Sequence, residues 1–196
     1  MIIYNPHNEQ ILKERIIVAE QLLNQIPAKY CFISGSFLYS DNYQDIDIFV
    51  VSRSKKIIKF KDPKIKVTII DFNNIHSLFY HSVSKSCIAK QLLPRKELKV
   101  TIADYWDVIN EAVPTILNQK NTFHKSIRFL VLYTEYFKTK TILDTFELQQ
   151  RVIQYQDYKK LLDYINQEVP IIINKNVTRS YLKRFFYTQA ALYKDL

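Results

Sequence analysis

Two aspartates, Asp45 and Asp47, alternate with Ile46 and Ile48 at the head of the apolar run Phe49-Val50-Val51. Residues two apart on an extended strand project from one face, roughly 6 to 7 Å apart along the chain, so both carboxylates point together while the isoleucines enter a core. Such a pair is unfavourable unless it is solvated or neutralised by cations, and hard oxygen donors at this spacing suit Mg²⁺ or Mn²⁺. A third carboxylate, Asp71, closes another apolar run that begins near Ile65. If that run lies beside the first in a sheet, three carboxylates meet at one edge. They then form the apparatus of a two-metal in-line displacement, in which Asp45 and Asp47 hold both ions, Asp71 completes the site, and Asp71 can take a proton from the attacking hydroxyl.

Ten residues before the pair stands Gly35, the only glycine of the chain, followed by Ser36. Glycine permits a sharp turn and close backbone approach, and a serine can cap the next turn or bond a phosphate oxygen. The backbone N–H groups of such a turn suit the phosphates of a nucleotide. A single glycine also excludes a P-loop and a dinucleotide-binding fingerprint, both of which need several.

The elements that must position these residues are legible. Asn8 to Gln25 carry Ile11, Ile16, Ile17, Ala19, Leu22 and Leu23 on one broad face and predict an amphipathic helix ended by Pro27. Tyr30–Ile33, Asp45–Val51 and Ile65–Phe72 predict three strands, and Lys55–Phe60 is either a short hairpin strand or a loop. Beyond Asn74 helical spacing takes over. Helices are predicted over Ile75–Leu93, Thr101–Leu117, Phe123–Phe137, Thr145–Tyr155, Asp157–Glu168 and Thr178–Lys194. The expected fold is α+β: a small mixed-sheet domain over residues 1–75 followed by an α-helical bundle over 76–196, with the boundary between about 75 and 100.

Gly-Ser, about ten residues, Asp-x-Asp on a strand and a later acidic residue among apolar neighbours form an ordered combination that resembles the nucleotidyltransferases of the DNA polymerase beta-like superfamily. Gly35, Ser36, Asp45, Asp47 and Asp71 match its elements in order, over roughly Lys29 to Phe72. The chain departs from small bacterial members, which often carry a second glycine and an arginine after the Gly-Ser; here Phe37 to Asp41 stand instead. The resemblance implies transfer of a nucleoside monophosphate from an NTP to an acceptor with release of pyrophosphate. Acceptors in keeping with it are a small hydroxylated molecule, an RNA end or a protein hydroxyl. The alternative is a catalytically silent module of the same fold that binds or regulates, in the manner of an antitoxin.

Composition sets the frame for these readings. A net charge of +9 and an apolar share of 47 % over 196 residues predict a folded globular protein with a leaning towards polyanionic partners, nucleotide or nucleic acid. Lys85, Lys90, Arg95 and Arg128 are candidates for balancing triphosphate charge, and Arg53 lies nearest the site in sequence. In the tail, Tyr181, Phe185, Phe186, Tyr187 and Tyr193 interleave with Arg179, Lys183, Arg184 and Lys194; an amphipathic helix with snorkelling cations explains this more cheaply than base stacking. His76, His81 and His124 have no metal-ligand spacing, and Cys31 and Cys87 are expected to be reduced structural thiols. With no basic-then-apolar leader and no apolar run of about 20 residues, a cytoplasmic protein without a membrane partner is expected.

Overall fold

The structure, a computed structural model, describes residues 1–54, 58–118 and 123–176. The protein is α+β, with a five-stranded mixed sheet and, among the described residues, six α-helices. It divides into two compact units: Met1–Lys99 together with Ile142–Glu147, and Val100–Thr141 together with the residues from Leu148 onward. The sheet unit therefore runs to Lys99 and recruits a short segment from much later in the chain.

Its strands are β1 (Ile2–Tyr4), β2 (Tyr30–Ser34), β3 (Ile46–Val51), β4 (Ile65–Ile70) and β5 (Cys87–Ala89), in the order β1-β5-β2-β3-β4. All pairings are antiparallel except β3 with β4, which is parallel. A parallel neighbour needs a crossover of about a dozen residues or more, and Ser52 to Lys64 provide one.

The alternation of side chains divides the core between the two sheet faces. On one face α1 (Glu9–Asn24), capped by the Asn8 side chain on the Ile11 N–H, lays Ala19, Leu22 and Leu23 against Ile33, Ile46, Ile48, Val50 and Ile88. On the other, Phe32, Phe49, Val51 and Ile70 are covered by Tyr80 and Val83 of α2 (Leu78–Val83). Tyr80 is fully buried, and its hydroxyl donates to the Pro94 carbonyl at 2.7 Å, which removes the cost of burying it.

Where a single helix was expected over Ile75–Leu93, the chain forms the short α2 and then the strand β5. All three residues of β5 are buried, and it hydrogen-bonds to β1 on one side and β2 on the other, so sheet pairing outweighs local helical spacing.

The helical unit contains α3 (Ile102–Leu117), α4 (Phe123–Thr139) and α6 (Tyr158–Asn176), while α5 (Thr145–Ile153) begins in the late segment of the sheet unit. Helix α3 opens on a Thr101–Asp104 capping box. Tyr105 and Thr134 share a buried hydrogen bond of 2.9 Å between α3 and α4, and Lys138 of α4 meets Glu168 of α6 at 3.0 Å. Helix α6 continues beyond Glu168 through Pro170, because Val169, Ile172 and Ile173 are buried apolar residues that packing holds in helical geometry. No described helix is long and apolar enough to cross a membrane. The expected helix Thr178–Lys194, with its aromatic and basic stripe, lies outside the described residues, as do positions 55–57 of the hairpin-or-loop segment; residues 58–60 join no strand.

Candidate active site

Gly35 follows β2 directly and adopts φ 92°, ψ −168°, a conformation open essentially to glycine alone. Ser36 then begins a 3-10 turn over Ser36–Leu38, closed by hydrogen bonds from the Leu38 N–H to the Gly35 carbonyl and from the Ser40 N–H to the Ser36 carbonyl. A Cβ built on Gly35 would lie 3.1 Å from Asp47 Oδ2. The missing side chain thus leaves the space that the Asp47 carboxylate approaches, and the turn and the carboxylate form one site.

The register of β2 and β3 produces this contact by pairing Ser34 with Asp47. Asp45 lies just before β3, two residues ahead of Asp47, and both are half-buried, neither enclosed nor fully solvated. Gly35, Ser36 and Asp47 are therefore brought together, with Asp45 two residues away along the chain.

Asp71 is not brought to them. Because β4 runs parallel to β3, Asp47 pairs with Lys66 at the start of both strands and Val51 with Ile70 at their end. Asp71 follows Ile70, roughly 16 Å along the strand from the Asp47 row. Its carboxylate accepts the Asn73 N–H at 2.7 Å and caps the short 3-10 turn Phe72–Asn74. The convergence of three carboxylates expected from sequence required β4 to deliver its end, rather than its beginning, to the site. The residue it delivers is Lys66, exposed on the same face as Asp47.

The other cations named from sequence are engaged elsewhere. Lys85 Nζ donates to the Ile142 carbonyl at 2.7 Å and to Glu147 at 2.8 Å, and Lys90 Nζ donates to the Ile26 carbonyl at 2.8 Å. Arg95 donates to the Ser84 hydroxyl and carbonyl, and Arg128 to Gln149. Arg53 lies past the end of β3, at the Asp71 end of the strand pair. Burial pushes the thiols of Cys31 and Cys87 up, to about 11 and about 12, so both are poor nucleophiles near neutral pH.

Residues from far along the chain, whose contact with it no local sequence signal marks, brace the turn. The buried Ser34 hydroxyl donates to the Ser86 carbonyl at 2.9 Å and lies 3.4 Å from the Thr145 hydroxyl, while Tyr39 OH donates to the Thr145 carbonyl at 3.2 Å. Thr145 thus touches the residues on both sides of Gly35-Ser36. It is held in turn by a reciprocal cap: Asp144 accepts the Phe146 and Glu147 N–H groups, and Glu147 accepts the Asp144 N–H. His7 meets Asp144 at 2.6 Å and stacks on Phe146 at 4.4 Å between centroids. Burial would raise the Glu147 carboxyl, but hydrogen bonds from Lys85 and the Asp144 N–H outweigh it and hold the group below the ordinary glutamate value. The Asp144-Thr145-Phe146-Glu147 run is recognisable in sequence as a helix start.

Scanned against models of known protein families and against curated protein sequences, the chain matches none. The fold and the geometry of this turn therefore carry the functional argument.

Proposed function

We propose that the protein is a metal-dependent nucleotidyltransferase that moves a nucleoside monophosphate from an NTP to an acceptor with release of pyrophosphate. The observation that supports this most is the fit of Asp47 into the space left by Gly35. It joins a glycine turn to a carboxylate at the start of β3, where neither half would serve alone.

Asp45 and Asp47 suit Mg²⁺ or Mn²⁺: two half-buried hard oxygen donors two residues apart, the second of them next to the Gly35 backbone. Asp71, at the other end of β4, does not belong to this donor set. A bound divalent ion would neutralise charge on the phosphate oxygens during displacement. The chain's own contribution is positioning. The glycine turn brings backbone close to the phosphates, Ser36 offers a hydroxyl donor to a phosphate oxygen, and the brace through Thr145 ties Ser34 of β2 to Tyr39 beyond the turn. The acceptor class is a small hydroxylated molecule, an RNA end or a protein hydroxyl.

A second reading, a catalytically silent module that binds a nucleotide or regulates a partner, draws on one observation: the third carboxylate is absent from the Asp47 row. Incubation with each labelled NTP and Mg²⁺ or Mn²⁺, with RNA, lysate protein and small-molecule pools as acceptors, separates the two. Label transferred by the native chain and lost by more than about a hundredfold in Asp45→Asn and Asp47→Asn supports the enzyme. Metal-dependent NTP binding without any transfer supports the silent module.

A further inference from the structure

The same register that removes Asp71 from the site sets a lysine in the Asp47 row. Ser34, Asp47 and Lys66 form one cross-strand row on one sheet face, with neighbouring strands about 4.8 Å apart. Lys66 is exposed, so its four-carbon stem is free to swing the ammonium over the carboxylates or over a phosphate lying on them. We propose that Lys66 supplies the positive charge that a second divalent ion supplies in a three-carboxylate centre, so that this site takes a single divalent ion with its NTP. The inference rests on the nucleotide reading above and specifies its charge arrangement.

The formal charges agree. Three carboxylates and two divalent ions present one net positive charge to a triphosphate. Two carboxylates, one ammonium and one divalent ion present the same charge. With Lys66 beside Asp47, a second divalent ion would have to sit next to an ammonium and share only two carboxylates, which raises the electrostatic cost of binding it.

The competing account is that Lys66 merely protects an edge: β4 is the outermost strand, and edge strands commonly carry lysine against pairing with other chains. That account gives Lys66 no effect on metal or nucleotide. The full chain is titrated with Mn²⁺, followed by electron paramagnetic resonance, alone and with the α,β-methylene analogue of each NTP. The native protein with an analogue binds one Mn²⁺, and Lys66→Glu, which restores a third carboxylate to the row, binds two. Lys66→Ala weakens analogue affinity about tenfold, whereas Lys61→Ala, at another exposed lysine, leaves it unchanged. Two Mn²⁺ in the native complex, or equal stoichiometry and affinity in native, Lys66→Glu and Lys66→Ala proteins that melt alike, overturns the role of Lys66 while leaving the nucleotide reading standing. If the native protein binds no analogue, the nucleotide reading fails and this inference fails with it.

Discussion

The two ends of the β3–β4 pair present aspartates in contrasting situations. At the starting end Asp47 leans into the space beside Gly35, with Ser34 on one flank and Lys66 on the other. At the finishing end Asp71 spends its carboxylate on the Asn73 N–H and shapes a turn that leads towards α2. In sequence the two look alike, each an acidic residue at the margin of an apolar strand. Strand direction distinguishes them. A parallel partner carries like ends together, so a carboxylate after β4 cannot meet one at the start of β3. Position relative to strand polarity, more than residue type, separates a candidate ligand from a cap.

The sharpest way to break this contrast is to remove the space at Gly35. Alanine there must adopt φ near 92°, at a cost of about 1 to 3 kcal/mol, and its methyl would press on Asp47 Oδ2 from 3.1 Å. We expect Gly35→Ala to lower the melting temperature and to reduce transfer about a hundredfold through displacement of the carboxylate. Thermal melts beside a transfer assay check both. Full activity in Gly35→Ala would mean that the turn and Asp47 work independently and do not form one site.

How far the sequence foretold this follows from which interactions are local. The turn at Gly35 and the place of Asp47 on a strand were legible because strand alternation and glycine's conformational freedom act over a few residues. The starts of α1 and α3 were expected at Asn8 and Thr101, within a residue of where the helices begin, for the same reason. Strand β5 was not: three fully buried residues show no alternation, and the pairings that make Cys87–Ala89 a strand come from β1 and β2, far away in sequence. The length of the Ser52–Lys64 connection was a usable sign of a parallel β4, and with it the even positions Lys66 and Thr68 become the ones that share the Asp47 face. The bracing of Ser34 by Thr145 spans 111 positions and has no local signature.

That brace offers a smaller test of what separates a ligand from a cap, because Asp144 is a second aspartate committed to backbone. It is 1 % exposed, accepts two N–H groups at the start of α5 and meets His7. Asp144→Ala should cost about 2 kcal/mol in urea unfolding, at the upper end for loss of a cap because a buried partner is left behind. Asp144→Asn retains the capping oxygen and should cost less than half as much. Equal losses would place the weight on the charge facing His7 instead of on the cap.

The smallest expected effect discriminates best between the two ends of β3 and β4. Asparagine caps about as well as aspartate, so Asp71→Asn should preserve the hydrogen bond from the Asn73 N–H and change stability by no more than about 0.5 kcal/mol. Since Asp71 belongs to the far end of the strand pair, the same substitution should leave transfer and Mn²⁺ binding unchanged, while Asp47→Asn, an identical chemical change at the near end, should remove both. Stability measured by urea titration and Mn²⁺ binding measured on the same samples keep a folding defect apart from a ligand defect. Loss of metal in Asp71→Asn with stability intact would require the β3–β4 register to be antiparallel or shifted, and Lys66 would then lose its place beside Asp47.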